Sequence, residues 1–317
     1  MELDKINNKI IVELLNNCRK SNIQIGKKVG LSREGVANRI RKLEKAGVIL
    51  NYGLEVNLTK LGFMPHEVSL KLQRMNKGSE EKIVNFFKDN KKIVFVEKAL
   101  GKFDFVLMVM VKSLAELDEE IEKLRGILGS HLKEISICAW IANYDTMSSF
   151  FTNNPESVIS RHSDEEKVYV LDSTEKKLLR ELALKSRESA VYLSKKLNIS
   201  AITVANKIKL LEKKEIIKTF RAAIDFEKLG VSRYSIYINV SASNVEKNLA
   251  EFCKHHKLIA DFTKFIGEYN YSIEVFAKNN EEFQKVVNEL LDTFSDSIVN
   301  YETMILLEEI KHIPFYS

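Results

Sequence analysis

Arg33, Glu34, Asn38, Arg41, Lys42 and Lys45 lie within one short stretch, Leu31–Ile49. A helix turns roughly 100° per residue, so Val36, Ile40 and Leu43 form one apolar stripe. Glu34, Asn38, Arg41, Lys42 and Lys45 fall on the opposite side, with Arg33 at the first turn. Guanidinium and ammonium groups hold phosphates or reach guanine edges, and an asparagine amide matches adenine in the major groove. The chemistry offered is recognition of a nucleic acid. Lysine and arginine are also common on solvated helix faces, so the elements around this helix must decide.

The stretch recurs. Val-Ala-Asn-x-Ile with Leu-Glu-Lys behind it appears at Val36 and again at Val204, an offset of 168 residues that also joins Leu3-Asp4 to Leu171-Asp172 and Leu61-Gly62 to Leu229-Gly230. A repeat this long is duplication of a whole module. On the second helix the outward positions are Ile202, Asn206, Lys209, Leu210 and Lys213. Ile202 and Leu210 stand where the first copy has charge. This face therefore either meets a more methyl-rich groove or contacts protein.

The positioning elements can be predicted in order. Asp4 caps a helix whose Ile6, Ile10 and Leu14 share a face. A short helix follows over about Ile23–Val29, Gly30 makes a tight turn, and Ser32 caps the longer helix, which stops near Ala46 at Gly47. In the second copy Asn198 takes the turn, Ser200 repeats the cap, and Glu215 replaces the stop glycine. A short helix, a tight turn and a longer helix make a helix-turn-helix.

Each head leads through a short extended stretch (Leu54–Leu58, Ala222–Phe226) into a different rhythm. The first copy predicts strands at His66–Gln73, Ile93–Leu100, Phe103–Val111 and Leu132–Trp140, with helices at Ser79–Asn90 and from the capping-box Ser113 to Leu128. His66–Gln73 alternates as a half-buried strand does, and Gly101-Lys102 marks a hairpin. The second copy predicts Tyr234–Val240, Ser243–Lys257, Ile259–Ile266, Tyr269–Ala277, Asn280–Phe294 and Ile298–Glu308, with Gly267-Glu268 at its hairpin. The order β-α-β-β-α-β is that of a ferredoxin-like sandwich. The predicted class is α+β, with two helix-turn-helix domains (1–52 and 169–220) alternating with two ferredoxin-like domains (53–145 and 221–317). A linker over 146–168 holds Pro155 and Asp164-Glu165-Glu166 and has little core of its own.

Charge supports this division. Residues 1–50 hold 11 Lys/Arg against 5 Asp/Glu, and residues 169–220 hold 12 against 6. Residues 51–150 balance at 14 against 14, while 221–317 hold 10 against 15. The net +5 of the 317-residue chain is thus carried by two matching blocks, the footprint of two polyanion-binding heads on non-binding bodies.

Several words together resemble the leucine-responsive regulator/AsnC family of transcription regulators. They are Leu3-Asp4, Val29-Gly30-Leu31-Ser32, Arg39-Ile40-x-x-Leu43-Glu44-x-x-Gly47-Val48-Ile49, Leu61-Gly62 and Gly101-x-Phe103-Asp104-Phe105, the last repeated as Gly267-x-Tyr269-Asn270-Tyr271. The resemblance covers nearly the whole chain, twice over. It implies winged helix-turn-helix heads on double-stranded DNA and ferredoxin-like sensory domains that pair their sheets. It also implies an amino-acid effector near the interfaces, in a cytoplasmic protein. One chain with two copies is expected to form an intramolecular pseudo-dimer and, beyond it, a homo-oligomer.

The DNA-binding candidates are therefore Ser32, Arg33, Asn38, Arg41, Lys42 and Lys45, with Ser200, Asn206, Lys209 and Lys213. The effector candidates are Gly101, Asp104, Gly267 and Asn270. The glycines permit the hairpins, and a carboxylate at Asp104 matches an ammonium, although it also suits nearby backbone. Asn270 lacks that charge, so the second effector site is expected to be weaker or different.

Other chemistry finds little support. No apolar run reaches the roughly 18–20 residues a membrane helix needs, and the first residues are unlike a signal peptide. No cofactor is expected. Cys18, Cys138 and Cys253 are widely spaced with no CxxC pair and suit buried thiols in a reducing compartment. The six histidines show no metal spacing, and no nucleophile elbow is present. Two alternatives remain: a protein-interaction adaptor, favoured by Ile202 and Leu210, and a fused siroheme-decarboxylase-like enzyme of the same family. For the latter, His66 is matched by Tyr234 in the second copy, and His131 by no histidine.

Overall fold

The computed structural model describes residues 3–73, 76–152, 158–161, 168–241 and 245–313. Pro155 and Asp164–Glu166 of the predicted linker lie outside them, as does Ser243 of the predicted Ser243–Lys257 helix. The described chain divides into two compact units, by domain type rather than by copy.

The first unit holds both heads. Its first copy contains α1 (Lys5–Asn17), α2 (Asn22–Val29), α3 (Arg33–Lys45) and β1 (Ile49–Val56); its second contains α6 (Ser173–Leu184), α7 (Ala190–Leu197), α8 (Ala201–Lys213) and β7 (Ile217–Ile224). The predicted N-caps of the heads are in place. Asp4 accepts from the Asn7 amide at 2.7 Å, Ser32 from Gly35 at 3.0 Å, and Ser200 from Thr203 at 3.0 Å. Gly30 (φ 74°) and Asn198 (φ 53°) make the left-handed turns that stop α2 and α7. Val36, Ile40 and Leu43 are buried, as are Val204, Ile208 and Leu211, so each longer helix packs its apolar stripe and leaves the other face outward.

The strands after the heads start about five residues before the predicted stretches, because they pair with each other. β1 and β7 form an antiparallel two-stranded ribbon with Tyr52 opposite Ala222 and Leu54 opposite Phe220. The wing of each head is one strand, and its partner is the wing of the other copy. Around this ribbon equivalent residues make reciprocal contacts. Arg19 lies over the Phe220 ring at 5.2 Å and Arg187 over the Tyr52 ring at 5.0 Å. The Cys18 amide donates to Phe220 O at 2.7 Å, and the Ser186 amide to Tyr52 O at 3.0 Å.

The second unit holds both sandwiches. Copy one contributes β2 (Met64–Leu72), α4 (Lys77–Asp89), β3 (Ile93–Gly101), β4 (Phe105–Val111), α5 (Leu114–Leu128) and β5 (Leu132–Asp145), and a short strand β6 (Val158–Arg161) pairs with β5. Copy two contributes β8 (Ser232–Val240), α9 (Val245–His255), β9 (Ile259–Gly267), β10 (Tyr271–Ala277), α10 (Asn280–Thr293) and β11 (Ile298–His312). Each copy has the predicted βαββαβ order. The two four-stranded sheets join at both edges, β3 to β11 and β5 to β9. Because β2 also pairs with β5, eight strands close into a ring.

Closure corrects one expectation. β2 is not half-buried: Val68 and Leu70 face the helices, while Glu67 and Ser69 are buried on the other side, inside the ring. The predicted linker also supplies an added strand, and Thr146 and Ser149 are buried there, both hydroxyls donating to Ile259 O at 2.9 Å. Inside the ring an aromatic cluster of Phe103, Tyr237, Phe265 and Tyr269 packs with Cys138 and Met304, joining residues of both copies. Burying each large apolar side chain contributes about 1.5–3 kcal/mol. Cys18, Cys138 and Cys253 are free and buried.

Candidate nucleic-acid interface

The outward face of α3 is intact in three dimensions: Ser32, Arg33, Glu34, Asn38, Arg41, Lys42 and Lys45 are all exposed. Arg41 Nη2 donates to Asn38 Oδ1 at 2.5 Å, one turn away, so the two candidate readers are held side by side. Lys42 and Lys45 occupy the last turn, where a helix favours cations. On α8, Ser200, Ile202, Asn206, Lys209, Leu210 and Lys213 are exposed, with Ile202 at 75%.

Two features that spacing alone passed over support this face. Arg39 Nη1 donates to Asp4 Oδ2 at 2.6 Å, and Lys207 Nζ donates to Asp172 Oδ2 at 2.6 Å, the same bond in each copy. Each ties the longer helix to the cap of the first helix of its head. Bonding to Arg39 and Lys207 holds the Asp4 and Asp172 carboxyls below their ordinary range. The second feature is a repeated pair of lysines on the preceding helices, Lys27-Lys28 and Lys195-Lys196, all exposed at the last turn. In helix-turn-helix docking the preceding helix crosses the phosphate backbone. Their recurrence at the 168-residue offset was the available signal.

The effector candidates lie in the second unit, at its strand seams. Gly101 leaves no room for a side chain, since a Cβ there would stand 2.7 Å from Thr303 O of β11. A Cβ at Gly267 would stand 2.8 Å from Cys138 Cα of β5. Each hairpin glycine thus serves the junction with the other copy. Asp104 Oδ2 accepts from the Leu72 amide at 2.7 Å and Oδ1 from Lys71 Nζ at 3.0 Å. Asn270 Oδ1 accepts from the Val240 amide at 2.8 Å, the equivalent backbone bond. The ammonium of Lys71 thus already partners the Asp104 carboxylate.

The histidines of the enzyme alternative sit in the same unit. His66 is buried, its Nδ1 3.2 Å from Met64 O, and burial lowers its pKa. His131 Nδ1 lies 3.2 Å from Gln73 O. Among the described residues no group of three His, Cys, Asp or Glu could hold a metal ion, and no helix is long and apolar enough to cross a membrane.

The family described as winged helix-turn-helix DNA-binding matches residues 3–49 and again 171–218. The Lrp/AsnC ligand-binding domain matches residues 235–314. The HTH-type transcriptional regulator LrpC of Bacillus subtilis is 32% identical over 124 residues, covering 39% of this chain and 84% of the relative. The chain belongs to the Lrp/AsnC family. Another relative, the HTH-type transcriptional regulator Ptr1 of Methanocaldococcus jannaschii, is 34% identical over 116 residues, covering 36% of this chain and 76% of its own length. Each relative therefore spans about one copy of this duplicated Lrp/AsnC chain. The siroheme decarboxylase NirDL superposes with a TM-score of 0.68 over 98% of this chain and 94% of its own. At 12% identity that likeness is one of fold.

Proposed function

We propose that this chain is a cytoplasmic, sequence-specific DNA-binding transcription regulator whose two heads engage one duplex together. The observation that carries this reading is the exposed polar face of α3 and its partial repeat on α8, each with a repeated lysine pair on the helix before it. Arg33, Asn38 and Arg41 read bases or phosphates, Lys42 and Lys45 hold the backbone, and Asn206, Lys209 and Lys213 act in the second head. Ser32 and Ser200 fix the helix starts, where an amide turned toward a phosphate adds to binding.

The domain scheme follows the duplication: heads at 1–52 and 169–220, sensory domains at 53–145 and 221–317, and a linker at 146–168. The sensory domains pair within the chain as a pseudo-dimer and associate further as a homo-oligomer. An amino acid or related effector binds near their interfaces, with Gly101, Asp104, Gly267 and Asn270 at the hairpins. It acts by favouring one arrangement of the heads, since only differential binding shifts such an equilibrium.

The test is selection from random duplex DNA with the wild type and with an Arg41→Ala/Lys209→Ala double variant, followed by a salt titration. The expected result is an enriched motif whose affinity falls steeply with salt. Each lost base contact should weaken binding by about 1–3 kcal/mol. No enrichment, with weak binding that the variant leaves unchanged, would sink the regulator reading. Tetrapyrrole addition to the same sample, read as a Soret band, checks the enzymatic alternative. Effector binding is checked by calorimetry, where one strong amino-acid site per chain supports the role of Asp104 and two equal sites oppose it.

A further inference from the structure

The two heads present different chemistry at the same place. The first turn of a recognition helix is the part that meets base edges. In α3 that turn is Arg33-Glu34-Gly35, capped by Ser32; in α8 it is Ala201-Ile202-Thr203, capped by Ser200. The 168-residue offset aligns them one to one, Arg33 with Ala201 and Glu34 with Ile202. Arg33, Glu34 and Ile202 are exposed, Ile202 at 75%.

The base edges in the major groove sort these residues. Arginine is bidentate to guanine O6 and N7, and a glutamate accepts from the cytosine amino group. Arg33 and Glu34 together therefore match a G·C pair. Alanine, isoleucine and the threonine methyl offer no strong donor and instead match the thymine C5-methyl. One turn further, the heads differ again. Asn38 Oδ1 already accepts from Arg41, whereas Asn206 makes no side-chain hydrogen bond among the described residues, leaving its amide open to adenine N6 and N7. Ile202 and Asn206 therefore point to the same kind of base pair.

The apolar turn of α8 is set in a basic surround. Lys195, Lys196, Lys209, Lys213 and Lys214 are all exposed on the same head. Duplex phosphates flanking a thymine-rich groove complement that arrangement.

We infer that the chain reads an asymmetric site, with a G·C-bearing half-site under the first head and an A·T half-site, recognised through thymine methyls, under the second. This rests on the regulator reading and adds to it: the operator has a direction, and one chain sits on it in one orientation.

Random-duplex selection with the full chain comes first, followed by fluorescence anisotropy on the enriched duplex with modified bases. The expected motif has two unlike halves, one A·T only. Replacing thymine by deoxyuridine in that half should weaken wild-type binding by about fourfold for each contacted methyl. The same replacement should leave Ile202→Ser unchanged, because that variant has already lost the contact. Replacing guanine by 7-deazaguanine in the other half should weaken the wild type and leave Arg33→Gln unchanged. Both side chains are exposed, so neither variant should disturb folding. Two identical half-sites, or deoxyuridine without effect, would overturn the inference and leave the regulator reading standing. Ile202→Ser with undiminished DNA affinity would overturn it too and point that face to a protein. No enriched motif at all would remove the regulator reading itself.

Discussion

Cys18 Sγ lies 3.0 Å from Ser186 Oγ, both buried, and the two are the same position in the two copies. Their contact marks the point where the duplicated heads face each other. Arg19 and Arg187 flank it, each over an aromatic ring of the opposite copy's wing. Burial pushes the Cys18 thiol above its ordinary pKa, which suits a packing role.

Ser186→Cys should therefore place two sulfurs within bonding reach, since a disulfide forms where facing side chains already nearly touch. Mild oxidation of the variant should remove two titratable thiols, counted with a thiol reagent and confirmed by mass. Four free thiols after oxidation would show that the heads do not hold this contact in solution.

The hairpin glycines give a second expectation. Gly101→Ala sets a methyl against Thr303 O and Met304 Cα, and Gly267→Ala sets one against Cys138 Cα. Backbone cannot step aside as a flexible side chain can, so each should cost about 1–3 kcal/mol. Gly126, inside α5 with nothing within 4 Å of its Cβ position, is the control. There alanine should be neutral or stabilising by up to about 1 kcal/mol. Denaturant midpoints decide; equal behaviour of the three variants would remove the glycines from the seams.

These seams also explain what the sequence hid. The helices, their caps and the turns at Gly30 and Asn198 were legible because each signal lies within a few residues of its effect. Strand ends were not. β1 begins at Ile49, β5 runs on to Asp145 and β11 to His312, and in each case the added length pairs with a strand of the other copy. No local alternation records a partner more than a hundred residues away. The same non-locality hid the burial of Glu67 and Ser69, which face the interior only because the ring closes. At the candidate interface the polar face was legible from periodicity, whereas the Arg39–Asp4 and Lys207–Asp172 ties needed the folded head.

Glu215 offers a test of local strain. It is the stop residue of α8 and carries φ 55°, where the first copy has Gly47 at φ 73°. Its ion pair with Lys60 is 2.5 Å long, but the Glu215 side chain is 74% exposed. An exposed pair stabilises little, and the left-handed conformation is unfavourable for a residue with a Cβ. Glu215→Gly should thus raise Tm by about 2–4 °C, with Glu215→Asn in between. A fall in Tm would mean that the Lys60 pair outweighs the strain.

Glu67 adds its own pH dependence to the second unit. Its carboxyl is buried, accepts from Tyr237 of the other copy at 2.7 Å, and is pushed up to about 7 by burial, against the pull of the Tyr237 and Ser69 hydroxyls. Glu97, also raised by burial, lies on the next seam with Arg233 at 2.6 Å. A carboxyl whose folded pKa is raised keeps its proton in the fold after the unfolded chain has lost it. The contribution of Glu67 is then fully present below about 4.5 and declines as pH rises toward 7, levelling off above. The span is about 3 kcal/mol for Glu67 alone, as an upper estimate. Glu67→Gln, which stays neutral, should flatten that slope between pH 5 and 7.5 and gain relative to wild type at the alkaline end. Denaturant melts of both proteins at pH 5, 6, 7 and 8 check this, and parallel slopes for wild type and Glu67→Gln would show Glu67 ionised in the fold.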